Sequence, residues 1–264
     1  MALRPSWGAP GLLDSKLGGH PYLPPGASWP TSALGGDVKL FLLAQLNLGQ
    51  LPALPGFPET GILQFFIAGG DTHGMHLANL ASGAGHRVLY HPEAPAAPLV
   101  DDGPTGLGAH PDAPDVAAPI AELDLPFEAD RPVRLSGQLT TAPLSYTDSG
   151  FAARGRELLA ADPDSWSPLR PWLAPGGPPA TLTDEFDHAF GRGGHTLGGA
   201  PFFAGDDPRV MPAYSGHTVL LLQVDSDPAA GLNWGDRGIC HFFIEPARLA
   251  ARDFSRVVYH WDCY

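Results

Sequence analysis

The amino-acid sequence contains the same series of short apolar blocks twice. Four pairs of blocks occur in the same order, with an offset of roughly 170–180 positions that chance rarely produces. The pairs are 17–23 (LGGHPYL) with 197–203 (LGGAPFF), 41–47 (FLLAQLN) with 219–225 (VLLLQVD), 61–67 (GILQFFI) with 238–244 (GICHFFI), and 87–91 (RVLYH) with 256–260 (RVVYH). Because a unit of about 70 residues rarely buries a good core alone, we predict an internally duplicated β-rich unit, related by a pseudo-two-fold and folded as a single domain.

We place repeat copy one at 17–91, an insert at 92–196 and copy two at 197–260, all within one domain over 1–264. The repeat blocks alternate as strands do. In the block over 41–47 we predict one face with Phe41, Leu43, Gln45 and Asn47. In the block over 61–67 we predict an apolar face with Leu63, Phe65 and Ile67.

The insert has a different pattern. Residues 92–119 are rich in Ala, Pro and Asp and predict a long surface excursion. We predict a strand over 131–141, helices over 150–161 and 181–192, and a short helix over 246–251 near the end of copy two. Strands in the repeats and helices mainly in the insert predict a mainly β or α+β fold with a few short helices.

The charge balance argues against some classes of partner. The formal net charge is −13, and the 15 Lys and Arg residues form no cluster, so we expect neither nucleic-acid binding nor attraction to an anionic membrane surface. No apolar run approaches the length of a membrane span. The two cysteines, Cys240 and Cys263, make neither a disulfide framework nor a zinc site. We therefore expect a cytoplasmic protein.

Polar residues recur at matching places in the two copies. The repeat equates Gln45 with Gln223, Asn47 with Asp225, and Glu59 with Asp236. Two such sets related by a pseudo-two-fold could line one shared cleft, with a tryptophan at its border. The alternative is that each glutamine bonds backbone groups and each acid lies in a turn. The candidate binding residues are Gln45, Glu59, Gln223, Asp225, Trp234 and Asp236. Trp234 is also compatible with a core position.

We predict no metal site and no cofactor. The Asp225-Ser226-Asp227 segment lacks the spacing of an EF-hand loop, and the histidines form no recognised zinc motif. Neither a phosphate-binding glycine loop nor a G-x-S-x-G nucleophile motif is present in the sequence.

Together the blocks resemble the YwqG-like family, a bacterial domain of unknown function. They are GGHPYLP at 18–24, Trp29-Pro30, Gln45–Asn47, Pro58–Phe66, His195–Gly199, Leu220–Asp227, Trp234–Gly238 and Asp253–Ser255. The resemblance covers most of the chain except about residues 92–180. It implies a mainly β fold in a bacterial cytoplasm, and it supplies no catalytic residues.

Two function classes follow. The first is a non-catalytic module that binds an unknown protein or small molecule, for example in a role like that of a toxin-immunity protein. The alternative is a small-molecule hydrolase that uses carboxylates near Glu59 and Asp236. Catalysis requires at least two titratable groups with shifted pKa values in one concave pocket; a protein-binding module requires an exposed apolar or aromatic patch.

Overall fold

The computed structural model describes residues 1–34, 38–93, 124–141, 144–190 and 193–264. Its strands are β1 (Ala2–Ser6), β2 (Lys16–Leu17), β3 (Thr31–Ser32), β4 (Val38–Lys39), β5 (Phe41–Asn47), β6 (Ile62–Ile67), β7 (His86–His91), β8 (Val133–Gln138), β9 (Thr196–Leu197), β10 (Val219–Asp225), β11 (Ile239–Ile244) and β12 (Val258–Asp262). Its α-helices are α1 (Phe151–Ala161), α2 (Ala180–Phe190) and α3 (Pro246–Ala250). Short 3₁₀ turns cover Leu48–Gln50, Ser167–Leu169, Pro171–Leu173, Pro208–Val210 and Pro228–Ala230. The predicted mainly β class with few short helices is confirmed.

One large sheet contains strands from both repeat segments. Its ten strands run in the order β12-β11-β10-β9-β1-β8-β2-β5-β6-β7 within the described part of the chain. The central pair is β1 with β8, in antiparallel register from Ala2↔Gln138 to Ser6↔Arg134. β1 has no counterpart among the predicted strands, because Arg4 and Pro5 interrupt any apolar alternation there. β3 and β4 form a separate pair.

A bulge changes which side chains share a face of β5. The register passes from Leu42↔Phe66 to Ala44↔Phe65, so that Leu43 is an extra residue in the strand. Beyond the bulge, Gln45 lies on the face of Leu42, away from the core face of Phe41 and Leu43. The predicted face that groups Phe41, Leu43 and Gln45 is therefore wrong, because one inserted residue reverses the alternation.

β10 has the same irregularity. Its register with β11 shifts between Leu220 and Leu222, so that Leu221 is the extra residue. Leu221 and Leu222 both belong to the main core, whereas Leu220 packs in a second buried cluster on the other face. Gln223 follows on that second face.

The sheet curves back so that its outer strands approach each other around one core. The ring centroids of Phe65 in β6 and Phe242 in β11 are 4.9 Å apart. His86 Nε2 in β7 donates a hydrogen bond to Val257 O, next to β12, at 2.9 Å. Tyr259 Oη in β12 donates to His73 O at 2.8 Å. The result is a large, nearly closed sheet whose main apolar cluster contains residues of both repeat segments.

β7 and β12, the last strands of the two repeat segments, correspond in the sheet with an offset from the alignment of their sequence blocks. Ile62 pairs with His91 between β6 and β7. Ile239, at the corresponding place in β11, pairs with Asp262 in β12. In the sheet His91 therefore corresponds to Asp262, whereas the sequence blocks match His91 with His260. The predicted equivalence of these last blocks is wrong by two residues.

The elements predicted for the insert, and the short helix predicted near the end of copy two, correspond to observed ones where the structure describes them. The strand over 131–141 is β8, and the helices over 150–161, 181–192 and 246–251 are α1, α2 and α3. The surface excursion over 92–119 lies outside the described residues except for its first two positions. No helix among the described residues is long and apolar enough to cross a membrane.

Candidate functional site

The two repeat-related glutamines make equivalent hydrogen bonds. Gln45 Oε1 accepts from Tyr22 N at 2.7 Å, and Gln223 Oε1 accepts from Phe202 N at 2.9 Å. Tyr22 and Phe202 occupy the same place in the two Gly-Gly blocks. The amide nitrogen of Gln223 donates to Gly194 O at 2.9 Å. Both glutamines are fully buried and fasten a loop to the sheet, on strands that have four other strands between them.

Replacing Gln223 by alanine is expected to lower the free energy of unfolding by about 1–3 kcal/mol, because Phe202 N and Gly194 O lose a buried partner. Gln45→Ala is the matched control at the corresponding place and is expected to cost a similar amount. Urea denaturation measures both. A change below about 0.5 kcal/mol for Gln223→Ala would contradict the structural role.

Asp225, the last residue of β10, forms part of the wall of two clefts. The first, called the wide cleft, has a volume of about 530 Å³. It is bordered by Arg4, Thr140, His195, Asp225 and Asp227, among others. A narrower cleft of about 260 Å³ is bordered by Asp225 together with Phe202, Ile239 and Tyr264. Asp225 and Ser226 are common to both. Of the predicted candidates, Asp225 is thus the one that borders these two clefts.

Burial sets the acidity of Asp225. Burial is the largest cause and the neighbouring charge of Asp227 a smaller one, and together they raise the pKa of this carboxyl to about 6. Backbone N–H groups of Gly194 and Ser226 act in the opposite direction. The hydrogen bond from Gly194 N to Asp225 Oδ2 is 2.7 Å long. Gly194 is therefore held from both sides, by Asp225 through its N–H and by Gln223 through its carbonyl.

His195 lies beside Asp225, but both of its ring nitrogens are engaged. Nδ1 accepts from the backbone N–H of Asp225 at 3.1 Å, and that bond places the ring proton on Nε2. Nε2 faces Asp227 Oδ2 at 3.4 Å. The side chain is 5% exposed, and burial lowers its pKa despite the opposing effect of Asp227. His195 therefore positions the end of β10.

The other predicted candidates lie in different surroundings. Glu59 and Asp236 are exposed, and neither borders the two clefts at Asp225. Trp234 is fully buried and packs against His73 and Trp261, with ring centroids 5.8 Å and 6.2 Å away. Whether these residues act with Asp225 on one ligand stays a prediction.

Two further polar clusters among the described residues have no counterpart among the predicted sites. Asp207, Arg209 and Asp148 form a buried ion-pair network, with Arg209 Nη2 2.6 Å from Asp207 Oδ2 and 3.2 Å from Asp148 Oδ2. His241, His260 and Asp262 form a cluster whose potential ligand atoms lie within 4.8 Å of one another. Sequence spacing does not reveal this cluster, because the pairing of β11 with β12 assembles it. The available signal is His260-x-Asp262, which places both side chains on one face of a strand.

Comparison with known proteins gives a family and no activity. A family model described as a domain of unknown function, DUF1963, matches residues 15–263. No curated protein matches the chain. The match includes every strand from β2 to β12 as well as Asp225 and the cluster at His241. The chain therefore belongs to the DUF1963 family, whose function is unknown.

Proposed function

We propose that the chain is a non-catalytic binding protein and that its wide cleft takes a small molecule with a positively charged nitrogen. The observation that carries the proposal is the partly buried carboxylate of Asp225 in the wall of that cleft. Its hydrogen-bond partners are backbone N–H groups, which carry no full charge. A cationic group on a ligand would supply the positively charged partner that this carboxylate lacks.

The charges around the wide cleft favour the same ligand. Among the described residues, Asp225 and Asp227 border it together with one basic residue, Arg4, so this part of its wall carries a net negative charge when the carboxyls are ionised. Withdrawing a carboxylate from water is costly unless an opposite charge is nearby. A bound amine would reduce that cost and lower the pKa of Asp225.

Binding is favoured over catalysis because the described titratable groups beside Asp225 in this cleft, Asp227 and His195, face each other across one contact. His195, the obvious partner for acid–base chemistry, has both ring nitrogens engaged. A hydrolase that uses Glu59 and Asp236 is the alternative, and it requires those two exposed carboxylates to converge on a substrate.

Asp225→Asn is expected to abolish the binding of small amines. Calorimetric titration with a panel of primary amines, each paired with a neutral alcohol of the same shape, measures the affinity. Wild-type protein should bind amines in preference to the alcohols. Binding should strengthen as the pH rises through about 6, because the carboxyl must lose its proton. The asparagine still offers an oxygen to Gly194 N, so the fold should be retained.

Glu59→Gln is the matched control, since it removes an exposed carboxylate that does not border the two clefts. It should bind amines as the wild type does. The proposal is wrong if no amine binds, if the alcohols bind equally well, or if Asp225→Asn leaves the affinity unchanged.

A protein partner is the second candidate. Val210 and Met211 are consecutive apolar residues with 68% and 50% of their surface exposed. Such a pair suits a contact with another protein, and an immunity-like role is the version that this surface would serve. On either reading we place the protein in a bacterial cytoplasm, where Cys240 and Cys263 would remain thiols.

We also propose that the chain is a YwqG-like protein that arose by internal duplication. The order β2-β5-β6-β7 mirrors β9-β10-β11-β12 in the sheet, and β5 and β10 have a bulge at the same place. A Cβ atom at Gly61 would collide with His91 O, and one at Gly238 would collide with Asp262 O. If the two halves are related in this way, each residue of one half can be compared with a corresponding residue of the other.

A further inference from the structure

Three side chains of the β11–β12 pair point to one place on the face away from the main core. His241 pairs directly with His260, and Asp262 lies two residues beyond His260 on the same face. The two imidazole rings are nearly parallel, with centroids 6.2 Å apart and an interplanar angle of 24°. One ligand atom from each of the three side chains lies within 4.8 Å of the other two.

Each of these side chains has a buried polar atom without a hydrogen-bond partner among the described residues. The atoms are His241 Nδ1, His260 Nδ1 and Asp262 Oδ1. His241 is fully buried, and its Nε2 donates to Phe202 O at 2.7 Å. Its Nδ1 is therefore unprotonated, and no described donor offers its lone pair a hydrogen bond. One unpartnered buried group typically costs about 1–3 kcal/mol, so three in one place indicate a missing partner.

The corresponding place in the other half of the sheet has its polar groups paired. Gln64 stands where His241 stands, and its amide nitrogen donates to Tyr22 O at 2.5 Å. His91 corresponds to Asp262, and its Nε2 bonds Gln64 Oε1 at 3.0 Å. Leu89, opposite Gln64, corresponds to His260. The corresponding place in the first half thus lacks the set of two histidines and one carboxylate, and its polar groups form hydrogen bonds with one another and with the backbone.

The charges near the cluster favour a cation. Asp207 acts electrostatically on both His241 and His260. Arg209 is the nearby cation, and Asp207 and Asp148 hold it in ion pairs. With Asp262 ionised, the carboxylates of Asp148, Asp206, Asp207 and Asp262 outnumber the one cation, Arg209, and leave this region with a net negative charge. A divalent cation would offset part of that charge.

We propose that His241, His260 and Asp262 bind a divalent transition-metal ion such as Zn²⁺. Two imidazoles and one carboxylate are a ligand set for Zn²⁺ and for related first-row ions. The hydrogen bond from His241 Nε2 to Phe202 O is the outer-shell contact that orients a metal-binding imidazole. His260 and Asp262 are half-buried, so the remaining coordination position faces solvent. Ligands at about 2.1 Å from a tetrahedral ion lie about 3.4 Å apart, a spacing that the three side chains reach by closing inward.

The test is metal titration of chelator-treated full-length protein, with Zn²⁺ followed by calorimetry and Co²⁺ followed by its visible absorption. Wild-type protein should bind one ion per chain with a dissociation constant at or below micromolar, and Zn²⁺ should raise its melting temperature. His260→Leu should weaken binding about 100-fold or more, at the upper end of the loss seen for outer-shell partners. Leucine already occupies the corresponding place at Leu89, so this variant should fold, and circular dichroism checks that it does.

Two further variants make the result specific. Asp262→Asn should weaken Zn²⁺ binding as His260→Leu does. His76→Asn removes a half-buried histidine outside the cluster and should leave the affinity and the stoichiometry unchanged. The proposal is overturned if the wild type binds neither ion, if a folded His260→Leu binds as tightly as the wild type, or if His76→Asn removes the bound ion. Asp225→Asn should still bind Zn²⁺, because this site does not depend on the wide cleft.

Discussion

Arg209→Met is expected to destabilise the fold by about 3–5 kcal/mol, because it leaves two buried carboxylates without their cation. The side chains of Arg209, Asp207 and Asp148 are 8%, 2% and 9% exposed. The guanidinium also lies over the Phe243 ring, 4.4 Å from its centroid. In a protein of this size the loss corresponds to a fall of about 10 °C in melting temperature. Thermal and urea unfolding at pH 7 measure it.

The effect should depend on pH in a defined direction. Burial by itself raises the pKa of Asp207, but the hydrogen bonds from Arg209 and Ser149 outweigh it and hold the pKa below the usual value of 3.8. A carboxyl whose pKa is lowered in the folded state contributes stability above its unfolded pKa and loses it as the pH falls through the folded value. The difference between the wild type and Arg209→Met should therefore be full at pH 7 and shrink below about pH 4.

An exposed ion pair provides the matched control. Arg154 and Glu157 are 3.0 Å apart, but their side chains are 61% and 66% exposed. Arg154→Met should change stability by less than about 0.5 kcal/mol. Equal losses for Arg154→Met and Arg209→Met would contradict the assignment of the Arg209 network as buried and stabilising.

Most of what could be predicted about the fold from the sequence came from the repeated blocks. It located β5, β6, β10 and β11, because apolar alternation marks buried strands. It could not locate the bulges at Leu43 and Leu221, because an extra residue leaves no mark in an already apolar block. The N-terminal strand was missed for the opposite reason, since its residues show no apolar alternation and its place comes from pairing with β8.

The candidate sites were predictable only in part. Asp225 could be identified because it ends an apolar strand, where the core gives way to solvent. The cluster of His241, His260 and Asp262 depends on the register between β11 and β12, which the matched blocks do not give, since they misalign β12 with β7 by two residues. The partners of Arg209 lie 2 and 61 positions away in the sequence, at Asp207 and Asp148, and no local pattern marks the distant one.

Trp234→Ala is expected to cost about 3–5 kcal/mol of stability, the usual effect of removing a fully buried tryptophan. Its ring packs against His73 and Trp261, so the truncation leaves a cavity between them. Trp7→Ala is the control, since Trp7 is 64% exposed, and it should change stability by less than about 0.5 kcal/mol.

The matched variant Trp234→Phe separates the two interpretations of this residue. Phenylalanine keeps most of the apolar volume and removes an indole N–H that has no partner among the described residues. If Trp234 is a core residue, Trp234→Phe should cost much less than Trp234→Ala and leave amine binding at Asp225 unchanged. A ligand platform has to present a ring face to the ligand, and Trp234 has no exposed surface. Folded Trp234→Phe protein that no longer binds amines would show that the ring reaches the ligand after all, and would return Trp234 to the binding site.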